Sequence, residues 1–280
     1  MTHELMSGLN SGGSGRGVFS AVRLSTALVV GVLAATTIGG CSSAEPKAAV
    51  VRSSPAPTPK VAAATNPLTG VGAVPAGPVI AVKVDDTQAG RPSLGLEKSD
   101  VIYIEEAEGG LSRMVAVYAS AKPRVRAVRS VRSSDPELLG QYGHIIVVAS
   151  GGGGQSLPDL DRSGLHGVIF DRGQVGFSRD PSSPAPYNVV SDLAKVSAAI
   201  KADGVRRVGF TWAANDSRLT TAKAAPTIST RVGSTRVDFV WDTRLARYVR
   251  TIGGQRVVTA SGAPVAKPNV LVQYCQINVD

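Results

Sequence analysis

Two cysteines and three histidines are all that 280 residues offer of the side chains that most often carry chemistry. A nucleophilic triad needs an imidazole base beside its Ser or Cys. Only His3, His144 and His166 exist, His3 falls in a segment read below as cleaved, and no Gly-x-Ser-x-Gly elbow occurs. The same inventory leaves no room for a zinc site of His and Cys ligands. Aromatic residues make up 5% of the chain and do not interleave with its arginines. That removes the stacking platforms of single-strand binders, so nucleic acid is not an expected partner. Gly151-Gly152-Gly153-Gly154 has no Lys-Ser/Thr behind it and is not a Walker loop. No cofactor and no metal is implied.

What is present begins with charge. The chain is 43% hydrophobic and 18% charged, with a formal net charge of +9, a soluble globular composition with room for one or two domains. Such a balance permits attraction to anionic lipid or wall polymer, although solvated surface arginine is its commoner source. Leu24–Ile38 is an apolar run of 15 residues behind Arg16 and Arg23. A spanning helix takes about 20 residues, so the run suits the core of a signal peptide instead. No arginine pair precedes it, which favours the general secretory route.

Ile38-Gly39-Gly40-Cys41 follows and resembles a lipobox, in which small residues admit the peptidase and the cysteine thiol receives a diacylglycerol. Residues 1–40 are then the lipoprotein signal peptide, and Cys41 becomes a lipidated amino terminus. More than one acyl chain gives stable anchoring, so the expected location is the extracytoplasmic face of the cell membrane. Cys41 has this use, and a disulfide to Cys275 is not expected. Residues 41–65, rich in Pro, Ala and Ser, read as a disordered tether. At roughly 3 Å per extended residue it reaches about 70 Å.

The rest of the chain is organised around Asp100–Arg132. Val101–Glu105 and Met114–Ala119 are rich in Val, Ile and Tyr and predict strands. Glu108-Gly109-Gly110 between them predicts a tight connection, because glycine takes positive φ cheaply. Residues 83–110 hold three basic and seven acidic side chains, whereas residues 113–132 hold six basic ones and no acid. Pairing of the two strands brings Glu105, Glu106 and Glu108 near Arg113, Arg129 and Arg132.

Taken together, Arg91-Pro92, Leu94-Gly95-Leu96, Asp100-Val101-Ile102-Tyr103 with Glu105, Glu108-Gly109-Gly110-Leu111-Ser112-Arg113 and Val128-Arg129-Ser130-Val131-Arg132 resemble the YerB-like family of bacterial surface lipoproteins. The resemblance extends to Asn66–Gly70, Phe177–Asp180, Ala185–Asn188 and Trp241-Asp242 with Arg247–Arg250. It implies an N-terminal domain of unknown function followed by a smaller C-terminal domain, and it brings no reaction. The family commonly has His where Tyr187 stands, which takes away an imidazole base there. Family members usually continue with further β structure, so the resemblance implies a C-terminal domain cut short at Asp280.

The expected fold class is α+β. A mixed sheet with flanking helices fills 66–204, and a small antiparallel β meander, incomplete by the family's pattern, fills 205–280. Pro78–Val84 is a continuous apolar run and reads as a central strand. Arg124–Val128 and His144–Ala149 add strands, and Glu97–Ser99 a short helix. Pro136–Tyr142 predicts a helix capped by Ser134 or Asp135. Ser191–Asp203 predicts another, capped by Ser191, with Leu193, Val196 and Ile200 on its buried face and Gly204 at its end. In the second domain Thr227–Val232, Thr235–Trp241, Arg247–Ile252 and Asn269–Tyr274 read as strands. Trp241 and Tyr248 there suit cross-strand packing.

Two functional readings follow. The favoured one is a non-catalytic binding protein of the cell envelope. Its cleft holds Glu105, Glu108, Arg113, Arg129, Arg132 and Asp85, and paired guanidiniums suit a phosphate or carboxylate group. Its partners would be a cell-wall component, an anionic ligand or an envelope protein, besides the membrane reached through Cys41. The alternative is a carboxylate-dependent hydrolase or lyase acting on wall glycan, with Asp85, Asp86, Glu105 and Glu108 converging at strand ends. Against both stands plain salt bridging among these same charges. The glycine run after the HIIVVA strand admits either a close ligand or a flexible loop.

Overall fold

The structure, a computed structural model, describes residues 65–213 and 216–275. The apolar run, Cys41 and the tether up to residue 64 lie outside the described residues. In chain order the first part contains β1 (Ile80–Asp85), β2 (Val101–Glu106), β3 (Ser112–Tyr118), β4 (Arg124–Arg126), α1 (Ser134–Gly140), β5 (Ile146–Ala149), α2 (Ser156–Arg162), β6 (His166–Ile169), β7 (Phe177–Arg179), β8 (Val189–Asp192) and α3 (Leu193–Ala199). The second part adds β9 (Thr227–Val232), β10 (Thr235–Asp242), β11 (Arg247–Ile252), β12 (Gln255–Arg256) and β13 (Ala266–Lys267).

Strand β1 is central, as its apolar run requires. The main sheet has the order β2-β3-β1-β5-β6. β2, β3 and β1 pair antiparallel, and β1, β5 and β6 pair parallel, so the sheet is mixed and the fold is α+β. The β2–β3 hairpin forms as expected, turned by Gly109 at φ 69° and Gly110 at φ 71°. Side chains alternate across it. Even-numbered Ile80, Val82, Met114, Ala116, Ile146 and Val148 pack on one face with Leu193 and Val196 of α3. Odd-numbered Ala81, Val115, Val117 and Val147 pack on the other with Leu139 of α1, Tyr142 just past it and Leu160 of α2. Each fully buried aliphatic side chain contributes about 1.5–3 kcal/mol.

A second, antiparallel sheet of order β4-β8-β7 lies on the α3 side. It corrects the long helix expected from Ser191. Ser191 is buried inside β8, paired with Val125 and Phe177, and cannot cap. Asp192 caps instead, its carboxylate accepting the N–H groups of Ala194 (3.1 Å) and Lys195 (3.2 Å). The helix stops at Ala199, where Ile200 turns extended and Asp203 pairs through its backbone with Val79 and His144. α1 also departs from its expected cap. Ser134 and Asp135 sit inside its first turn, and the residue before them makes no side-chain capping bond.

The third sheet, β12-β11-β10-β9 with β13 beside β11, is the expected antiparallel meander. Trp241 stands opposite Tyr248, rings edge to face at 5.0 Å between centroids. Asn269–Tyr274 forms no strand, and Leu271 and Tyr274 stand exposed. A strand needs a partner for its N–H and C=O groups, and β11 takes β13 there instead. The third sheet is joined closely to the first. Ser234 donates its N–H and its hydroxyl to the Gly110 carbonyl (both 2.8 Å), and Ala260 donates to the Ser93 carbonyl (2.7 Å).

Candidate functional site

The parallel strands end together, and that edge gathers the charge. Segment 127–132 crosses it as a strap. Arg129 donates its N–H to the Lys83 carbonyl of β1 (2.9 Å) and accepts from the Ser150 N–H just past β5 (2.9 Å). Val131 donates to the Gly151 carbonyl (2.9 Å), and Asp85 donates to the Ala127 carbonyl (2.9 Å). Ala127 sits at φ 63°, in the left-handed region. That conformation costs a non-glycine residue about 1–2 kcal/mol, and the surrounding hydrogen bonds hold it. β4 therefore ends at Arg126, short of the expected Val128. The strap fixes the backbone from which Arg129 and Arg132 reach outward.

Strand alternation decides which charges meet. Lys83, Asp85, Glu105 and Arg113 share the odd-numbered face, and register sets Glu105 and Asp85 on either side of Arg113. Lys83 is 2% exposed, and its amine meets Glu105 and, at 2.7 Å, Asp135 of α1. The other oxygen of Asp135 accepts the Arg132 N–H at 2.6 Å. Asp135 thus serves the strap and the lysine rather than its own helix end. Asp86 points to the opposite face, where the Arg250 guanidinium of β11 donates to both its oxygens at 2.5 and 2.7 Å. Both residues are buried.

The remaining members are paired less tightly. Arg132 donates to Glu108 at 2.6 Å, across a carboxylate that is 67% exposed. Asp85 accepts from Thr87 through one oxygen. Its other oxygen lies 3.4 Å from both Arg113 and Arg129 and has no hydrogen bond, though fully buried. Arg129 stacks over the Tyr187 ring at 5.4 Å. Among the described residues its guanidinium donates no hydrogen bond, so its directional capacity is unspent.

Beside Arg129 opens a cleft of about 300 Å³. Ser130, Ser150, Phe170, Asp171 and Arg179 line it with Arg129, and Pro186 and Val189 form an apolar side. Arg179 lies over the Phe170 ring at 4.7 Å and donates to Asn188 at 2.8 Å. Gly151 of the glycine run has a packing role here. A β-carbon on it would stand 2.2 Å from an Asp171 oxygen, so the missing side chain makes room for that carboxylate.

Burial pulls the Lys83 amine below its ordinary range, with Asp135 opposing only in part. The hydrogen bond from Arg132 holds the Glu108 carboxyl below its own. The six residues expected at the site lie around this strand end, and of them only Arg129 lines the cleft. Lys83, Asp135, Asp171, Arg179 and Arg250 were not anticipated there. A signal existed for Lys83, the one charge in the apolar run Pro78–Val84, and none for a partner 52 residues away.

Three comparisons bear on this architecture. The profile of the family described as "Protein of unknown function (DUF3048) N-terminal domain" matches residues 67–206. YerB of Bacillus subtilis (strain 168), which its name assigns provisionally to the lipoproteins, is 28% identical over 208 residues. The match takes in 69% of this chain and 61% of that relative's length. The crystal structure of YerB from Bacillus subtilis aligns with a TM-score of 0.59 at 22% identity, over 72% of each chain. That likeness concerns the fold.

Proposed function

This chain belongs to the DUF3048 family of proteins of unknown function, and on that premise we propose that it is a lipid-anchored protein of the extracytoplasmic membrane face that binds an anionic envelope ligand without chemistry. The lipobox-like Ile38-Gly39-Gly40-Cys41 and the lipoprotein name of YerB support the anchor. Replacing Cys41 by Ala should move the protein from the membrane fraction to the soluble one and abolish acyl labelling.

One observation carries the binding reading. Arg129 is held by backbone bonds on two strand ends, by Tyr187 beneath it and by the Asp85 charge behind it, yet its N–H groups remain unspent at the mouth of a cleft. A fixed guanidinium recognises phosphate or carboxylate through paired charge-assisted hydrogen bonds. The carboxylates are occupied differently. Glu105 meets Lys83, Glu108 meets Arg132 and Asp86 meets Arg250, which favours architecture over proton transfer for them. A thermal-shift titration of the full chain in detergent with pyrophosphate tests the reading. The melting temperature should rise with ligand and fall back with added salt, and Arg129→Ala should weaken binding about 10–100-fold. A melting curve that pyrophosphate leaves in place would overturn it.

A further inference from the structure

The lining of the Arg129 cleft carries two poles of charge. The cationic one is two guanidiniums, Arg129 over Tyr187 and Arg179 over Phe170, each oriented by an aromatic face. The acceptor one is Asp171, whose carboxylate has no hydrogen-bond or ion-pair partner among the described residues and nests against the bare α-carbon of Gly151. Ser130 and Ser150 line the cleft with them. A bare anion would use the arginines and be repelled by Asp171. An ionised carboxylate only accepts hydrogen bonds, so a fitting ligand must offer a donor there. Phe170, Pro186 and Val189 supply an apolar wall for a short carbon skeleton.

From this arrangement we infer that the cleft recognises a phosphate ester of a polyhydroxy alcohol. The phosphate lies between Arg129 and Arg179, and a hydroxyl of the alcohol donates to Asp171. This deepens the anion-binding reading and rests on it. It assigns the ligand class by pairing a cationic pole with an acceptor pole inside one cleft. It also gives the first glycine after β5 a function at the site, since a larger residue would displace the acceptor.

Isothermal titration of the full chain in detergent with inorganic phosphate, glycerol, glycerol 3-phosphate and glycerophosphoglycerol tests it. At neutral pH the phosphate and its monoester carry similar charge, so the comparison isolates the alcohol. Glycerol 3-phosphate should bind about ten-fold more tightly than phosphate, the effect of one hydrogen bond to a charged acceptor, and glycerol alone should not bind. Asp171→Ala, which removes the acceptor, should erase that margin while leaving phosphate affinity equal or higher. Gly151→Ala, which pushes the carboxylate aside, should do the same in a protein of near-normal melting temperature. Arg179→Ala should weaken both ligands. A diester stronger than the monoester places the ligand in a lipid headgroup or polymer, and the reverse order in a soluble sugar or polyol phosphate. Equal affinity for phosphate and both esters, or a margin that survives both variants, overturns the two-pole assignment and leaves the anion site standing. Failure of phosphate itself to bind removes both.

Discussion

Two sets of charges at the same strand end are used in opposite ways. In the closed set, Asp86 on one face meets Arg250 through two hydrogen bonds, and Lys83 on the other face is enclosed by Glu105 and Asp135. These groups are closed upon each other and nearly withdrawn from water. In the open set, Asp85, on the same face as Lys83, meets Arg113 and Arg129 at 3.4 Å without a hydrogen bond, and Arg129 turns its spare donors to a cleft. A closed pair has spent its directional bonding on architecture, whereas an open one keeps it for a ligand. Composition alone does not separate these cases. Geometry does.

The largest effect should come from breaking the closed junction between β1 and β11. Arg250→Ala leaves Asp86 buried and charged, which costs about 3–5 kcal/mol, read as a shift in the urea midpoint. The double replacement Asp86→Leu with Arg250→Met should recover most of that loss, because an apolar pair avoids the desolvation penalty. A single variant as stable as the wild type would show that the junction is solvated in solution. Lys83→Ala should come next, at about 3 kcal/mol, by leaving Asp135 and Glu105 facing each other without a cation.

A third closed cation tests the comparison through pH. Lys267 of β13 donates to the Ser99 carbonyl, just ahead of β2, and burial lowers its amine to about 8. Its unfolded value is near 10.4, so between pH 8 and that value the unfolded chain binds more protons. Stability from this group therefore rises with pH across that window, and its cost is fully present below pH 8. Relative to Lys267→Met, the wild type should gain about 2 kcal/mol between pH 7.5 and 10. A difference that stays flat across this range would mean that the amine is solvated.

Much of the closed architecture was legible and little of its pairing was. β1 announced itself by an unbroken apolar run, the hairpin by its glycines, and β9 and β11 by Val, Ile and Thr alternation. Other elements had no local signature. β7 and β8 are three and four residues long and exist because they pair with β4 and each other. Pro158 in the first turn of α2 masked a helix. Asp135 looked like a cap because a cap is the commonest local use of Asp before a helix. Its real partner comes from a strand 52 residues earlier, and no local pattern encodes such a distance. The Asp171–Arg179 side was invisible for the same reason.

In the open set stability should barely respond. Arg129→Ala should change folding free energy by less than about 1 kcal/mol, because its ion pair makes no hydrogen bond and Arg113 still faces Asp85. Ligand affinity, not the melting temperature of the free protein, should carry its effect. A loss comparable to that of Arg250→Ala would place Arg129 with the closed set.

The smallest effect should belong to Glu108, which tests whether a short ion pair must be a strong one. Its carboxylate accepts from Arg132 at 2.6 Å but is 67% exposed, so water and salt screen the attraction that the geometry suggests. The Arg132 hydrogen bond depresses its folded pKa. Its contribution is therefore present above the unfolded carboxylate range near 4.3 and lost as pH falls through the lower folded value. Glu108→Gln should cost at most about 0.5 kcal/mol at pH 7. Added salt should shrink that difference, and acid below the folded pKa should abolish it. Denaturant titrations at two salt concentrations and two pH values suffice. A cost above about 2 kcal/mol that ignores salt would move Glu108 and Arg132 into the closed architecture, and the strap would then be locked at both ends rather than free at its outer one.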